Sequence, residues 1–462
     1  MIRAVALDLG STSVKAGLLD DHGKLSKIVS LPAPKVIAEG GHFESDALAY
    51  VHIADQSLAE CTAHTHGKLV LGLSSQRSSF LIWERTSGKT VTPLISWQDN
   101  RGAESCTALQ SREPLITSLT GLRLTPYFFA PKLRVVLKQN PHWVERLAIG
   151  ELMVGTLDTY IIWRWTDGKF HLTDPSMAAR TLLMDIQQQR WSSKLCELFG
   201  IPMKLLPDIK PSTMLNIPLN NGLTLQASLG DQSAALVASV GTDSDVILVN
   251  LGTGGFVIRY QIDEFHPALN GYLRTLVYSD QEHKSLTAIE GTLNSISAAL
   301  ALYPVGECKV DNLAEFGDLY SLAEPSGLGA PYFRSDLGLQ FSKPVHHLTQ
   351  IQIATLLLEA IIFRVVRIIE DFTRDEPILK IYLAGGLSEL ATLQQGIAQC
   401  LHSDVYRLEQ KDASLLGAAM LASGIRQSKS VESYKINKIK NKNDIAGKYA
   451  RWKTWLDGLL VR

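Results

Sequence analysis

The pattern that most restricts how this chain can fold is met twice: an apolar run, a turn of small residues, and a second apolar run. Ala4 to Leu9 leads through Gly10-Ser11-Thr12-Ser13 into Val14 to Leu19. Halfway along the chain, Val246 to Leu251 leads through Gly252-Thr253-Gly254-Gly255 into Phe256 to Tyr260. Short apolar runs joined by such turns read as antiparallel hairpins. Asp20-Asp21-His22-Gly23 then turns the first hairpin into a third strand, Leu25 to Ser30. Two copies of the unit predict an internal duplication with one hairpin per half. A chain of 462 residues suits that, being too long for one ordinary core and long enough for two.

Elsewhere strand-like and helical stretches alternate, the pattern of α/β architecture. The helix-like stretch Gln232 to Val240 ends at Gly241, which sets the expected boundary between halves. The segment Gly155 to Asp185, rich in Trp, Asp and small residues, reads as strand and loop at a pocket rim. Ile351 to Phe372 has apolar residues at helical spacing and reads as a long, mostly buried helix. Lys380 to Leu383 is a strand entering Ala384-Gly385-Gly386, and Ala413 to Ala422 is a small-residue helix expected to pack closely on that strand. The expected domains are 1–241 and 242–425, followed by a basic tail, 426–462, with ten Lys or Arg against three acidic residues. A solvated surface segment is the preferred reading of that tail over a nucleic-acid arm.

Composition narrows the function classes. Hydrophobic residues make up 45% and charged residues 20%, as in globular proteins, and the net charge of -1 favours neither nucleic acid nor an anionic membrane as partner. The five cysteines are far apart and form no CxxC pair, which points to a reducing compartment and away from zinc. Met1 to Leu7 stops at Asp8, unlike a signal peptide. The longest apolar stretch, Leu356 to Ile369, is interrupted by Glu359, Arg364 and Arg367, unlike a membrane span. A cytoplasmic protein is expected.

Six segments carry candidate chemistry. In Asp8-Leu9-Gly10-Ser11-Thr12-Ser13, a strand ends in a turn whose backbone N–H groups can cradle phosphate, and the carboxylate can hold hydrated Mg²⁺; an ordinary hairpin uses the same residues. Gly252-Thr253-Gly254-Gly255 offers a second such turn or a plain one. Asp231, in Gly230-Asp231-Gln232, is either a helix N-cap or a general base. Ser75-Gln76-Arg77-Ser78 and Ser96-Trp97-Gln98-Asp99-Asn100-Arg101 supply the donors, acceptors and aromatic face that a polyol pocket needs. Ala384-Gly385-Gly386 suits either close approach to a flat ligand or a tight turn.

Assembled in order, these segments resemble the FGGY family of carbohydrate kinases, in its glycerol kinase-like branch. The resemblance runs from Ile2 to Ile425 and includes DLGSTSVKAGLLD, SSQRSSF, SWQDNR, TGLRLTPYFFAPKL, GTLDTYIIWRWT, GIPMKLLPDIKPS, GDQSAAL, LGTGGF, SGLGAPY and SLLGAAMLASG. It implies two RNase H-like domains of the actin and hexokinase superfamily, with ATP-Mg²⁺ and a small polyol or sugar acceptor in an interdomain cleft. It allows a homodimer. It implies Asp8 as the acid that organises Mg²⁺, and Gly10, Ser11, Thr12 and Ser13 as the first phosphate loop. Gly252, Thr253 and Gly254 fall in the second phosphate loop and Gly385 and Gly386 in the adenosine motif. Asp231 matches the catalytic base, while Arg77, Trp97, Gln232 and Phe256 match the acceptor pocket.

Two pocket positions depart from the branch: Ser78 stands in place of a glutamate and Pro175 in place of a tyrosine. Losing a partner costs a buried hydroxyl about 1–3 kcal/mol, so glycerol is expected to be a poor substrate and a longer polyol or ketose preferred. On the adenosine side Ser297 and Ala301 replace a glycine and a glutamine, Leu390 or Glu389 replaces an asparagine, and Tyr303 to Glu324 is short. Alternatives are a ketopentose kinase of xylulose or ribulose type and a weakly catalytic sugar- or nucleotide-binding regulator. An actin-like ATPase acting on proteins leaves Arg77, Trp97 and Asp231 unexplained.

Overall fold

The computed structural model describes residues 2–65, 67–241, 245–261, 271–280, 285–374, 378–409, 412–424, 433–440 and 442–461. Thr242, Ile425, Arg426 and Arg462, which bound the domains and tail expected above, lie outside the described residues. The chain groups into two compact units. The first comprises 1–241, 274–287 and 412–428; the second comprises 242–273, 288–411 and 429–462.

The first unit is organised by a six-stranded sheet, in the order Thr213–Pro218, Thr224–Gly230, Val70–Ser75, Ile2–Leu9, Ser13–Asp20, Leu25–Pro32. Ile2–Leu9 lies antiparallel to Ser13–Asp20 and parallel to Val70–Ser75, with Asp8 opposite Ser74. Val70–Ser75 is in turn parallel to Thr224–Gly230, with Ser75 opposite Gly230. Three parallel strands therefore end side by side at Leu9, Ser75 and Gly230. The central strand is apolar on both faces, and its side chains alternate in size. Val5 and Leu7 join a core that includes Tyr50, Ala54 and Leu58 of the helix Ala47–Thr62. Ala4 and Ala6 join Ala227, Leu229, Leu415, Ala418 and Ala419 on the opposite face.

That second face of small residues admits the helix Ala413–Ser423, which packs on Ile2–Leu9, Val70–Ser75, Thr224–Gly230 and the helix Asp231–Val240. Contact is close enough that a Cβ on Gly72 would overlap the Ala418 carbonyl, so only glycine fits there. The sequence reading expected this helix to pack on Lys380–Leu383. It lies instead in the first unit, because the small side chains that match it are those of Ile2–Leu9 and its parallel neighbours.

The second unit repeats the central arrangement. Val246–Leu251 lies antiparallel to Gly255–Gln261 and parallel to Lys380–Ala384, which is parallel to Asp404–Leu408; Ser433–Lys435 pairs antiparallel at that edge. The helix Gln350–Phe372 starts at a capping box, with Thr349 and Gln352 bonding each other's backbone. Two of its charges are buried and paired: Arg364 Nε lies 2.7 Å from Glu324 Oε1, and Glu359 Oε2 lies 2.5 Å from Lys448 Nζ.

Two other segments fold differently from expectation. Between Gly155 and Asp185 the chain forms a helix, Leu157–Trp165, buried at every residue but Arg164. A helix enclosed on all sides has no apolar stripe, so no 3.6-residue period marks it. The basic tail contains the helix Ile445–Leu460, with Trp452 and Leu456 fully buried and Lys448 committed to Glu359. No helix among the described residues is long and apolar enough to cross a membrane.

Candidate active site

Strand ends place the acidic groups. Asp8 is the next-to-last residue of Ile2–Leu9, and its carboxylate accepts hydrogen bonds from Ser74 Oγ on the neighbouring parallel strand and from Ser414 Oγ on the small-residue helix, both at 2.8 Å. Asp231 follows the strand Thr224–Gly230 and opens the helix Asp231–Val240. The N-cap of that helix is Gly230, so Asp231 stands in its first turn rather than at the cap. Its Oδ1 accepts the Gln232 N–H at 2.7 Å and lies 3.4 Å from Arg77 Nε; the Arg77 side chain is 4% exposed and that of Asp231 is 27% exposed. Arg77 leaves the loop after the strand Val70–Ser75, which is how the middle of the three parallel strands brings its cation to this acid.

Both carboxyl groups titrate high. Burial raises Asp8, the negative charge of Asp231 raises it further, and the two serine hydroxyls and Lys15 pull it back; the net value is pushed up to about 6. Burial likewise raises Asp231, against the lowering effects of Arg77, the Gln232 N–H and Arg180. Two acids that disfavour each other's charge make a locus that a divalent cation would neutralise. Among the described residues no group of three or more His, Cys, Asp or Glu could enclose a metal ion.

The turn after Asp8 is tight: Gly10 N–H donates to Ser13 C=O at 3.1 Å. Tyr50 Oη donates to Gly10 C=O at 3.2 Å and accepts from Gln76 Nε2 at 2.9 Å, tying the turn to the Arg77 loop. Lys15, on the returning strand, bonds Asp412 at 2.8 Å, so the small-residue helix is fixed to the turn through Asp412 as well as Ser414.

Trp97 is half-buried, and its N–H donates to Ser79 Oγ at 3.0 Å, which sets it beside the Arg77 loop. Its ring lies 5.5 Å from that of Tyr127. Ser78 is buried in the left-handed region, φ 64°, and its Oγ donates to Arg180 C=O at 3.1 Å. Pro175 is buried in the first turn of the short helix Pro175–Ala178, capped by Asp174. Sequence reasoning had not singled out Tyr127, Ser414, Asp412 or the buried Arg180. Tyr127 and Ser414 sit within stretches quoted for the resemblance; the other two carried no signal of their own.

In the second unit the structure brings the two remaining glycine turns together. Gly252-Thr253-Gly254 closes the hairpin after Val246–Leu251, and Gly385 follows the adjacent parallel strand Lys380–Ala384. Gly385 has φ 84°, and a Cβ there would strike the Leu251 carbonyl and the Asn250 side chain. Gly252 and Gly386 open on free space, and Thr253 is exposed. Ser297 donates from both N–H and Oγ to Thr253 C=O at 3.2 Å, so the serine found in place of a glycine buttresses this turn. Glu389 is exposed, 3.7 Å from Arg407. Phe256 lies half-buried on the strand leaving the turn, in this second unit, whereas Arg77, Ser78, Trp97, Asp231 and Gln232 are all in the first.

Comparison with known proteins accounts for both units. Residues 3–249 match the N-terminal domain of the FGGY family of carbohydrate kinases, and residues 247–424 match its C-terminal domain. A glycerol kinase of Methylobacterium nodulans is 30% identical over 450 residues, covering 90% of this chain and 88% of its own. An apulose kinase of Pectobacterium atrosepticum is 32% identical over 442 residues, with the same two coverages. The fold is that of Plasmodium falciparum glycerol kinase with ADP (TM-score 0.84, 23% identity, 100% of this chain and 99% of that one). It is also that of a ligand-bound xylulose kinase of Lactobacillus acidophilus (TM-score 0.82, 19% identity, 98% and 97%). This chain belongs to the FGGY family of carbohydrate kinases, and it is a sugar or polyol kinase.

Proposed function

We propose that this kinase transfers the γ-phosphoryl group of ATP to a primary hydroxyl of a small polyol or sugar, with Asp231 as general base. The observation that carries this reading is the Asp231 carboxylate itself: partly exposed, beside the Arg77 guanidinium and close enough to Asp8 to shift its titration. Asp231 accepts the hydroxyl proton as the oxygen bonds to the γ-phosphorus, and the bond from phosphorus to the bridging oxygen breaks to release ADP. Burial makes Asp231 a stronger base than a solvated aspartate, and the positive charge of Arg77 opposes that rise. Asp8 would hold Mg²⁺ through its carboxylate; when bound, the ion supplies charge stabilisation for the phosphate oxygens. The Gly10–Ser13 turn of the first unit and the Gly252–Gly254 turn of the second offer phosphate N–H donors, and the turn at Gly385 and Gly386 leaves room for the nucleoside.

The acceptor is a longer polyol or a ketose rather than glycerol. Ser78 supports this, because its short side chain is turned to Arg180 C=O and leaves Arg77 as the cation of that loop. The relative named for apulose supports a sugar as well. ADP release measured across glycerol and four- and five-carbon polyols and ketoses, beside Asp231→Ala, tests both statements. Turnover of at least one acceptor, falling about 10²–10⁴-fold in Asp231→Ala, is expected. Glycerol far above every longer substrate ends the acceptor assignment. Turnover of none points to the binding regulator.

A further inference from the structure

We infer that Lys132 is a positioning residue for the acceptor site, a single buried amine that fixes the Arg77 segment and the Trp97 segment to one another. The inference rests on the reading above, in which Arg77 and Trp97 face the acceptor. Lys132 lies on the helix Phe129–Gln139 and is fully buried. Its Nζ donates to Ser78 C=O at 3.0 Å and to Ser96 C=O at 2.8 Å. Those carbonyls belong to the residue after Arg77 and the residue before Trp97, so the separation of the two acceptor-facing side chains is set by the span of one nitrogen.

Nothing else about the site requires a lysine there. The surroundings are apolar, with the Phe80 ring centroid 5.9 Å from Nζ and Phe129 edge-on to Phe80. Asp99 and Arg101 are the charged groups that influence the amine, and Asp99 is spent on Arg101 and the Phe43 N–H. Burial lowers Lys132 to about 7, yet a neutral amine still has two N–H groups for two carbonyls, so the tie holds in either protonation state. The Ser78 carbonyl is presented by a left-handed backbone, φ 64°, a conformation that a serine holds only when its surroundings fix it. A second bond runs parallel to the first: Trp97 N–H donates to Ser79 Oγ, which donates to Gln76 Oε1 at 2.8 Å. Lys132 and Ser79 thus form two independent ties between the same pair of segments.

The test is steady-state kinetics of Lys132→Met, Lys132→Arg, Ser79→Ala and Arg77→Met, varying acceptor and ATP separately, on the best acceptor of the panel. Lys132→Met removes the donor at nearly constant volume and should raise the acceptor KM about tenfold or more, with the ATP KM within about twofold. Ser79→Ala should shift the same constant in the same direction by less, and it stands as the test if Lys132→Met fails to fold. Lys132→Arg, which can still donate to two carbonyls, should recover part of the acceptor KM. A loss of thermal stability with acceptor KM unchanged in both Lys132→Met and Ser79→Ala overturns the inference, as does an equal rise in both KM values. Arg77→Met separates the two levels. If it leaves the acceptor KM unchanged, the acceptor-site reading fails. If it raises that constant while the Lys132 and Ser79 variants do not, only the positioning role fails.

Discussion

Asp174 sits in an environment that its sequence neighbours do not suggest. It caps the helix Pro175–Ala178 as an ordinary aspartate would, accepting the Ser176 and Met177 N–H groups. It also accepts Ser176 Oγ at 2.9 Å and Ser212 Oγ at 2.6 Å while fully enclosed, and Ser176 Oγ in turn accepts the Gly230 N–H at 2.8 Å. Burial outweighs these four donors and pushes the carboxyl up to about 7. The raised value means that the folded state holds a proton between about pH 4 and 7 that the unfolded chain has released. The stability contribution is therefore present at low pH and lost as pH rises through about 7, a change of roughly 4 kcal/mol over the window. Denaturant titrations at several pH values should show this slope in the difference between the parent protein and Asp174→Asn. A flat difference would mean that Asp174 is ionised throughout.

At the scale of elements, the C-terminal helix Ile445–Leu460 is fastened by one buried charge. Lys448 and Glu359 are both almost fully enclosed, and Glu359 also accepts the Ala314 N–H. Trp452 packs on Phe363 and donates its Nε1–H to Ser321 C=O at 3.0 Å. Removing one ion strands the other, so Lys448→Met should cost about 3–5 kcal/mol, whereas Lys448→Met with Glu359→Leu should recover most of it. Equilibrium unfolding of the two variants checks this, and equal losses would contradict it.

Elements also mark what the sequence could and could not reveal. The hairpins, the long helix Gln350–Phe372 and the acids at strand ends were legible, because apolar runs punctuated by Gly, Ser and Asp have few local solutions. The partner of the Ala413–Ser423 helix was not, since periodicity reports a face and not what covers it. Lys132 was illegible for a related reason: among Phe129, Ala130, Leu133 and Val136 it reads as one more polar residue on a helix, and only the two carbonyls it meets, remote in sequence, distinguish it.

For the molecule as a whole, the first unit is not made by the first half of the chain alone. Its sheet is covered on one face by residues 413–423, which also present Ser414 to Asp8 and Asp412 to Lys15. A fragment of residues 1–241 should therefore expose Ala4, Ala6, Gly72 and Leu229 and be digested rapidly by protease. Fusing residues 412–428 to its end should restore resistance; no change on fusion would show that the sheet stands without that cover. The polypeptide passes from one unit to the other at 241/242, 273/274, 287/288, 411/412 and 428/429. Genetic exchange between relatives is constrained accordingly. A crossover at residues 247–249, where the two family models meet, would leave a borrowed serine reaching for a native aspartate. Recombinants that trade acceptor preference must inherit the late helix together with the early strands it was matched to.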